Sequence, residues 1–396
     1  MGAAGATCAQ QLRTLEPKAE ITIVNGEGLP FYLRLDLASI LEGKDSSKLI
    51  ARKDDYWIEN NIQVVYSQAV KLDSKAQTVL LENGEQLAYD KLLIASGAQA
   101  RRLTCPGAEL KEIATYRTLK DAISIYELRD KVKQVVIVGG GILGMEVAYA
   151  ARAYDWDITL LVRESHVGAP LIDEEGGGFI QQALEQGGVN VIYEDEVARY
   201  EGSDKVEAVV TEAGRRLPAN LVIECIGVAP DLRFLEELGI IEGGRVWVNE
   251  GMRTTVPTLF AAGDAAVVKM LNSHDVTCHN WNVAIAQARV AAEAMTGRDA
   301  KWNEGVYYNA DRFYDQEFAI IGPWERRTLS GRKLETQTTG EAFRAVVSVN
   351  GVIESALVVG DKTGNKLLRR LIASRAKIEG KFDRLFDPEA TAGAFE

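Results

Sequence analysis

The sequence is poor in the residues that carry chemistry by themselves: 396 residues contain four cysteines and three histidines. Cys8, Cys105, Cys225 and Cys278 lie far apart and form no CxxC pair, which excludes a legible zinc site or dithiol motif. His166, His274 and His279 add no ligand set to them, so no metal is expected. Positive charge is also short, 45 Lys and Arg against 57 Asp and Glu, for a formal net charge of -12. That balance argues against nucleic acid or an anionic membrane surface as the main partner. No secretory signal is readable, and a cytoplasmic location is the expectation. The longest apolar stretch, residues 135–151, is short for a membrane span, carries three consecutive glycines and encloses Glu146. The opening MGAAGAT misses a myristoylation signal, because Ala6 stands where Ser or Thr is needed.

What is present begins with length, which exceeds what one hydrophobic core serves; two or three domains are expected. Residues 133–137 (KQVVI) read as a strand buried on both faces. A complete GxGxxG follows at residues 139–144, then a helix rich in alanine (MEVAYAARAY) and a second strand at residues 157–162 (DITLLV). In that setting Gly139 makes the tight turn, Gly141 lets the backbone approach a pyrophosphate, and Gly144 allows close helix–strand packing. The helix N-terminus then offers N–H groups to the phosphates, so a dinucleotide site is expected here. The second strand ends at Val162 without an acid, and Arg163 follows in a place suited to a 2′-phosphate. This favours NADPH slightly; the other reading leaves Arg163 to solvent and gives the ribose to Glu164.

The N-terminus reads like a second such turn, entered late. Gly2 and Gly5 match the last two glycines of a GxGxxG, followed by a helix and a strand at residues 20–24 (EITIV). The first glycine and the first strand are absent from the sequence. A central strand of about four buried aliphatic residues is worth roughly 6–12 kcal/mol, comparable to the stability of a whole domain. An assigned start that lies too late is therefore the expectation; a strand from another chain and a true loss remain open. Glu27, after Asn25 and Gly26, is the candidate acid for an adenosine ribose, with Asn25 the weaker alternative. Residues 89–98 (YDKLLIASGA) and 258–265 (TLFAAGDA) each run a buried strand into a turn of small residues.

These segments, in this order, resemble the pyridine nucleotide-disulfide oxidoreductase superfamily in its FAD and NAD(P)H form. The closer similarity is to rubredoxin and ferredoxin reductases and to the flavoprotein part of NAD(P)H nitrite reductases. The resemblance implies an α/β fold of two Rossmann-like dinucleotide-binding domains, one for FAD and one for NAD(P), plus a C-terminal α+β domain. It implies that Gly2 and Gly5 hold the FAD pyrophosphate, Glu27 the ribose, and that Arg34 lies near the flavin. Ala95, Ser96 and Gly97 resemble the turn that passes the cofactor, and Asp264, beside Gly263, the aspartate of the ribityl chain. Gly227 is a further candidate cofactor-binding glycine. Trp281 and a helix from about Ala284 resemble the element whose N–H groups face the flavin pyrimidine. Glu146 matches an acid near the flavin–nicotinamide contact and is the catalytic candidate.

Two departures narrow the chemistry. Residues 30–50 hold no cysteine, which excludes the family's thiol route, and Ser39 stands where several relatives place a lysine. Gly176, Gly177 and Gly178 read as a flexible loop. Residues 342–349 and 352–359, split by Asn350-Gly351, read as a hairpin. Residues 361–384 then carry eight basic residues against three acids on an acidic protein, a patch suited to an acidic electron-carrier protein such as rubredoxin or ferredoxin. The other reading of that patch is a solvated helix whose charges serve solubility.

The expected domains are residues 1–108 and 229–302 for FAD, 109–228 for NAD(P), and 303–396 as an α+β interface domain. The expected activity is hydride transfer from NAD(P)H to FAD and onward electron delivery to a carrier protein or small acceptor. The alternative is a non-catalytic, nucleotide-responsive subunit of a larger redox complex, similar in fold to apoptosis-inducing factor. A homodimer is left open.

Overall fold

The computed structural model describes residues 1–169, 171–269, 276–277, 280–302, 306–313, 316–324, 327–340, 342–360, 364–387 and 389–395. His274, Cys278, His279, Tyr314, Asp361 and Lys362 lie outside the described residues. The main elements in chain order are α1 (Ala3–Leu15), β1 (Ile21–Val24), β2 (Ile62–Val65), β3 (Leu92–Ile94), β4 (Gln134–Val138), α2 (Ile142–Ala151), β5 (Asp157–Leu161) and α3 (Glu174–Gln186). They continue with β6 (Leu221–Glu224), β7 (Leu259–Ala261), α4 (Trp281–Met295), β8 (Tyr308–Phe313), β9 (Gln316–Ile321), β10 (Arg332–Thr339), β11 (Ala342–Val349), β12 (Val352–Gly360) and α5 (Asn365–Ser374). The chain forms two compact units: residues 1–37, 45–99 and 228–304, and residues 38–44, 100–227 and 305–396.

In the first unit α1 packs on α4 through small side chains. Ala3, Ala4 and Cys8 of α1 meet Ala284, Ala288 and Ala292 of α4, so alanine spacing sets a close helix–helix distance. β1 pairs in parallel with β2, Ile21 opposite Ile62, and β3 pairs in parallel with β7, Leu92 opposite Leu259. These are two separate two-stranded sheets among the described residues, not one continuous sheet.

The second unit contains a five-stranded parallel sheet in the order Ile113–Thr115, β6, β4, β5, Asn190–Ile192. Its centre is β4, where Val135, Val136 and Ile137 are at most 1% exposed, as a strand covered on both faces requires. A five-stranded antiparallel sheet follows, ordered β8, β9, β12, β11, β10. Asn350 and Gly351 both take positive φ, 51° and 76°, and close the β11–β12 hairpin as the sequence led one to expect. One face of this sheet, with Ala319, Val346 and Val358, packs against Leu368 and Leu371 of α5.

One expectation is corrected. Gly176, Gly177 and Gly178 do not form a loop; they lie inside α3, whose N-cap Asp173 accepts from the Gly176 N–H at 3.1 Å. A Cβ at Gly176 would sit 3.1 Å from Phe343 Cδ1, and one at Gly177 2.9 Å from the Val167 carbonyl oxygen. Gly176 and Gly177 let α3 pack closely, which offsets their poor helix propensity, while a Cβ at Gly178 would meet nothing within 4 Å.

Among the described residues no helix is long and apolar enough to cross a membrane.

Candidate functional site

The three glycines after β4 have different surroundings. Gly139 has φ +111°, and a Cβ there would lie 2.5 Å from the Cys225 carbonyl oxygen. A Cβ at Gly144 would lie 1.9 Å from the Gly139 carbonyl oxygen, so no side chain fits. Gly141 is the N-cap of α2, and a Cβ there would meet nothing within 4 Å. Helix α2 has no side-chain cap and no acid in its first turn. Its first N–H groups, which have no intrahelical acceptors, are thus left for an anion. Gly227, with φ +92° and open space around it, follows β6 in the same unit.

Beside this turn Val162 is 1% exposed, and Arg163 donates to Glu164 Oε1 from both Nε and Nη2, at 3.2 and 2.9 Å. The Arg163 side chain is 68% exposed, so this pairing is weak and leaves the guanidinium able to turn to a ligand. The next loop is fixed by Asp195, whose buried carboxylate accepts from the N–H groups of Glu196 and Ala213 and from Arg215 Nη1. Burial pushes the Asp195 carboxyl up, but the Thr211 hydroxyl, the Ala213 N–H, Arg215 and the Glu196 N–H outweigh it and hold it below the usual range. A depressed carboxyl stabilises the fold above the unfolded value and loses that contribution as pH falls through the folded one. Asp195→Asn keeps Oδ1 as an acceptor for the Glu196 and Ala213 N–H groups but loses the charge and the Oδ2 contact to the half-exposed Arg215, so it is expected to lower stability by about 1 kcal/mol at neutral pH. The gap should close in acid below about pH 4 when thermal melts of both proteins are compared.

Glu146 lies half-buried on α2. Its charge adds to burial in pushing the nearby Tyr116 phenol up, and Tyr116 is 1% exposed. Residues 38–44, including Ser39, belong to this unit, and the helix Ala38–Leu41 packs on α2. The buried cysteines are held as thiols: burial pushes Cys8 up to about 12, and burial with Glu146 and Glu224 raises Cys225.

In the first unit Gly2 is the N-cap of α1, with extended backbone, no side-chain cap, and nothing within 4 Å of a Cβ position. Gly5 sits inside the helix, where a Cβ would stand 3.7 Å from the Ala95 Cβ. The turn after β3 thus runs close to the N-terminal part of α1, with Ser96 exposed and Gly97 at φ +68°. The turn after β7 comes to the same place: Gly263 has φ +75°, and its Cβ position is 3.3 Å from the Ala4 Cβ. The Gly263 N–H donates to Gln287 Oε1 at 2.9 Å, and Arg245 donates to the Asp264 carbonyl. Asp264 itself is half-buried.

Glu27 is engaged from two sides. Tyr32 donates its hydroxyl to Oε1, and Arg34 pairs with Oε2 at 2.5 Å. Arg34 is thereby placed beside the candidate ribose acid. Asn25 is 1% exposed and bridges its own turn, accepting from the Glu27 N–H and donating to the Leu29 carbonyl, which accounts for it structurally. Trp281 opens α4, three residues before the expected start, and stacks on Phe31 at 6.0 Å and 16°. The Asn280 side chain accepts from the N–H groups of Asn282 and Val283, so part of the first turn expected to face a ligand is already used.

Gln287, Arg245 and Tyr32 were not anticipated. Gln287 carries a signal, a lone amide inside the alanine-rich run AIAQARVAA, but nothing local names its partner. Its Nε2 is buried and has no hydrogen-bond partner, a donor left over beside the Gly263 turn. The residues present fit two dinucleotides: two open helix N-termini without caps, glycine turns where a Cβ would strain or obstruct, and this unused donor.

Comparison with known proteins agrees. The family model for pyridine nucleotide-disulphide oxidoreductases matches residues 1–288. The ferredoxin–NAD(+) reductase component of the p-cumate 2,3-dioxygenase system from Pseudomonas putida is 34% identical, covering 98% of this chain and 94% of its own. A rubredoxin–NAD(+) reductase from Pseudomonas putida is 30% identical over 75% of this chain and 78% of its own. The putidaredoxin reductase in a covalent complex with putidaredoxin shares the fold, with a TM-score of 0.90 at 24% identity over 100% of this chain and 96% of its own. The chain belongs to the pyridine nucleotide-disulphide oxidoreductase family and is an NAD(P)H-dependent FAD oxidoreductase.

Proposed function

We propose that this oxidoreductase passes electrons from NAD(P)H, with NADPH favoured, to an acidic one-electron carrier of the ferredoxin or rubredoxin kind. FAD, when bound, accepts a hydride from the nicotinamide and releases electrons singly. Residues 1–108 and 229–302 are the FAD domain, 109–228 the nicotinamide domain, and 303–396 the interface domain. Gly2, Gly5 and the first turn of α1 hold the FAD pyrophosphate, and Glu27, braced by Arg34 and Tyr32, accepts from the ribose. Ala95, Ser96, Gly97 and Gly263 give the cofactor close passage, Asp264 accepts from its ribityl hydroxyls, and Trp281 flanks it. Gly139, Gly141, Gly144 and Gly227 serve the second dinucleotide, and Glu146 on α2 faces the nicotinamide.

Arg163 supports the NADPH preference, since no acid ends β5 to reject a 2′-phosphate. Arg163→Ala should raise the KM for NADPH about tenfold and change that for NADH by less than about twofold. Equal changes for both donors in steady-state assays would return the ribose to Glu164.

The observation that carries the carrier half is the face around α5. Lys366, Arg369, Arg370, Arg375, Lys377 and Arg384 are exposed, and none forms an ion pair among the described residues. On a chain of net charge -12 this is where an acidic protein would be steered. The Pseudomonas putida relatives are reductases named for a ferredoxin and a rubredoxin system. The test is anaerobic addition of NADPH to the purified protein, followed by a ferredoxin. Flavin colour that bleaches within the dead time, then returns as ferredoxin is reduced, is expected. The double variant Arg370→Glu, Arg375→Glu should slow the ferredoxin step at least about tenfold at low salt, with the difference vanishing at high salt. A colourless folded protein, or a ferredoxin rate insensitive to the variant, would overturn the reading.

A further inference from the structure

The N-terminal end of α5 opens on a cavity of about 420 Å³ whose lining includes Tyr308, Asn365, Lys366, Arg369, Asp387 and Ala390. It makes two opposite demands on a ligand. The helix is 10 residues long, its N-cap Gly364 supplies no side chain, and its first turn holds no acid. The first intrahelical bond runs from the Leu368 N–H to the Gly364 carbonyl at 2.8 Å. The N–H groups of Asn365, Lys366 and Leu367 therefore have no acceptor within the helix, and with Lys366 and Arg369 they call for an anion. Asn365 calls for the reverse. It is 6% exposed, it lines the cavity, and its Oδ1 is buried without a hydrogen-bond partner. A buried acceptor of this kind is satisfied by a donor.

We propose that this cavity binds a phosphate monoester of a small polyol. A phosphate in its monoprotonated form carries anionic oxygens for the N–H groups and cations and a P–OH that donates to Asn365 Oδ1. Sulphate matches the inorganic hydrogen phosphate dianion in size and charge but has no proton to donate; the monoester donates as its monoanion, with one charge fewer. The cavity is larger than a phosphate ion, and Asp387 in its wall accepts from a hydroxyl, which suits an esterified polyol. The site lies apart from both dinucleotide turns in the sequence and shares Lys366 and Arg369 with the basic face around α5.

The test is calorimetric titration of the flavin-loaded protein with inorganic phosphate, glycerol 3-phosphate and sulphate at equal ionic strength. Saturable binding of both phosphates, at least about tenfold tighter than sulphate, is expected, with glycerol 3-phosphate the tighter of the two. If inorganic phosphate alone binds, the polyol part of the proposal falls; if sulphate binds as well as phosphate, the role of Asn365 falls. Asn365→Leu should abolish the preference for phosphate over sulphate while raising the melting temperature of the ligand-free protein, because it removes an unsatisfied polar group. Lys366→Ala should weaken both anions and leave the preference intact. Unchanged phosphate binding in both variants would place the ligand elsewhere and overturn the proposal.

Discussion

Gly144→Ala is expected to abolish NAD(P)H binding and to destabilise the protein, whereas Gly141→Ala is expected to abolish binding alone. The two glycines sit three residues apart in one turn, yet a methyl group meets opposite surroundings at each. At Gly144 it would lie 1.9 Å from the Gly139 carbonyl oxygen, so α2 must move away from β4 by about 1 Å or more. That carbonyl belongs to a residue already held at φ +111° against Cys225 and has little freedom to give. Overpacking of this kind costs roughly 1–3 kcal/mol, and the shift also carries the N–H groups of the helix away from the phosphates. At Gly141 the backbone has φ −75° and ψ 179°, ordinary for alanine, and the methyl enters open space. Its only cost arises when a pyrophosphate must occupy that space. Both variants should raise the KM for NADPH by about 100-fold or more, but only Gly144→Ala should lower the melting temperature of the flavin-loaded protein. A Gly141→Ala enzyme with an unchanged KM would show that the pyrophosphate does not approach this turn.

The contrast shows why this half of the site was legible in the sequence. Gly144 is pressed by the Gly139 carbonyl of its own turn and Gly141 leaves open space at the helix start, so their spacing encodes their geometry, although Gly139 itself is pressed by the distant Cys225 carbonyl. The hairpin at Asn350 and Gly351 was readable for the same reason, since two positive φ values in succession leave few residue choices. Gly176, Gly177 and Gly178 look alike in sequence and were misread as a loop, yet their surroundings differ: a Cβ at Gly176 would meet Ile172 and Asp173 just before it as well as the distant Phe343, one at Gly177 the loop at His166 and Val167, and one at Gly178 open space. Arg34 was placed by resemblance near a flavin, and in the structure it pairs with Glu27, a pairing that a two-residue strand and a turn create and no pattern announces. Local backbone demands leave a trace in one sequence; pairings made by the fold do not.

Gln287 is the clearest instance, and it carries the second large effect. Its Oε1 takes the Gly263 N–H, which fixes the turn that presents Asp264, and its Nε2 is buried without a partner. Gln287→Leu strands the Gly263 N–H, at a cost of about 1–3 kcal/mol, while also removing the unsatisfied Nε2. These partly cancel in the melting temperature of the flavin-free protein. They do not cancel in FAD affinity, because the turn loses its anchor and the cofactor loses a donor; a weakening of about 10- to 100-fold is expected in equilibrium fluorescence titration. Gln287→Glu separates the two roles, since it keeps an acceptor for Gly263 but replaces Nε2 with an oxygen. A carboxyl at this site, 0% exposed, would stay neutral below its raised pKa and would charge as pH rises through it. If Nε2 serves the anionic part of FAD, release from Gln287→Glu must accelerate with rising pH while Gln287→Leu stays level. If Gln287 only holds the turn, Gln287→Glu should retain FAD as the parent does across the same range, and the unused donor has no part in the site.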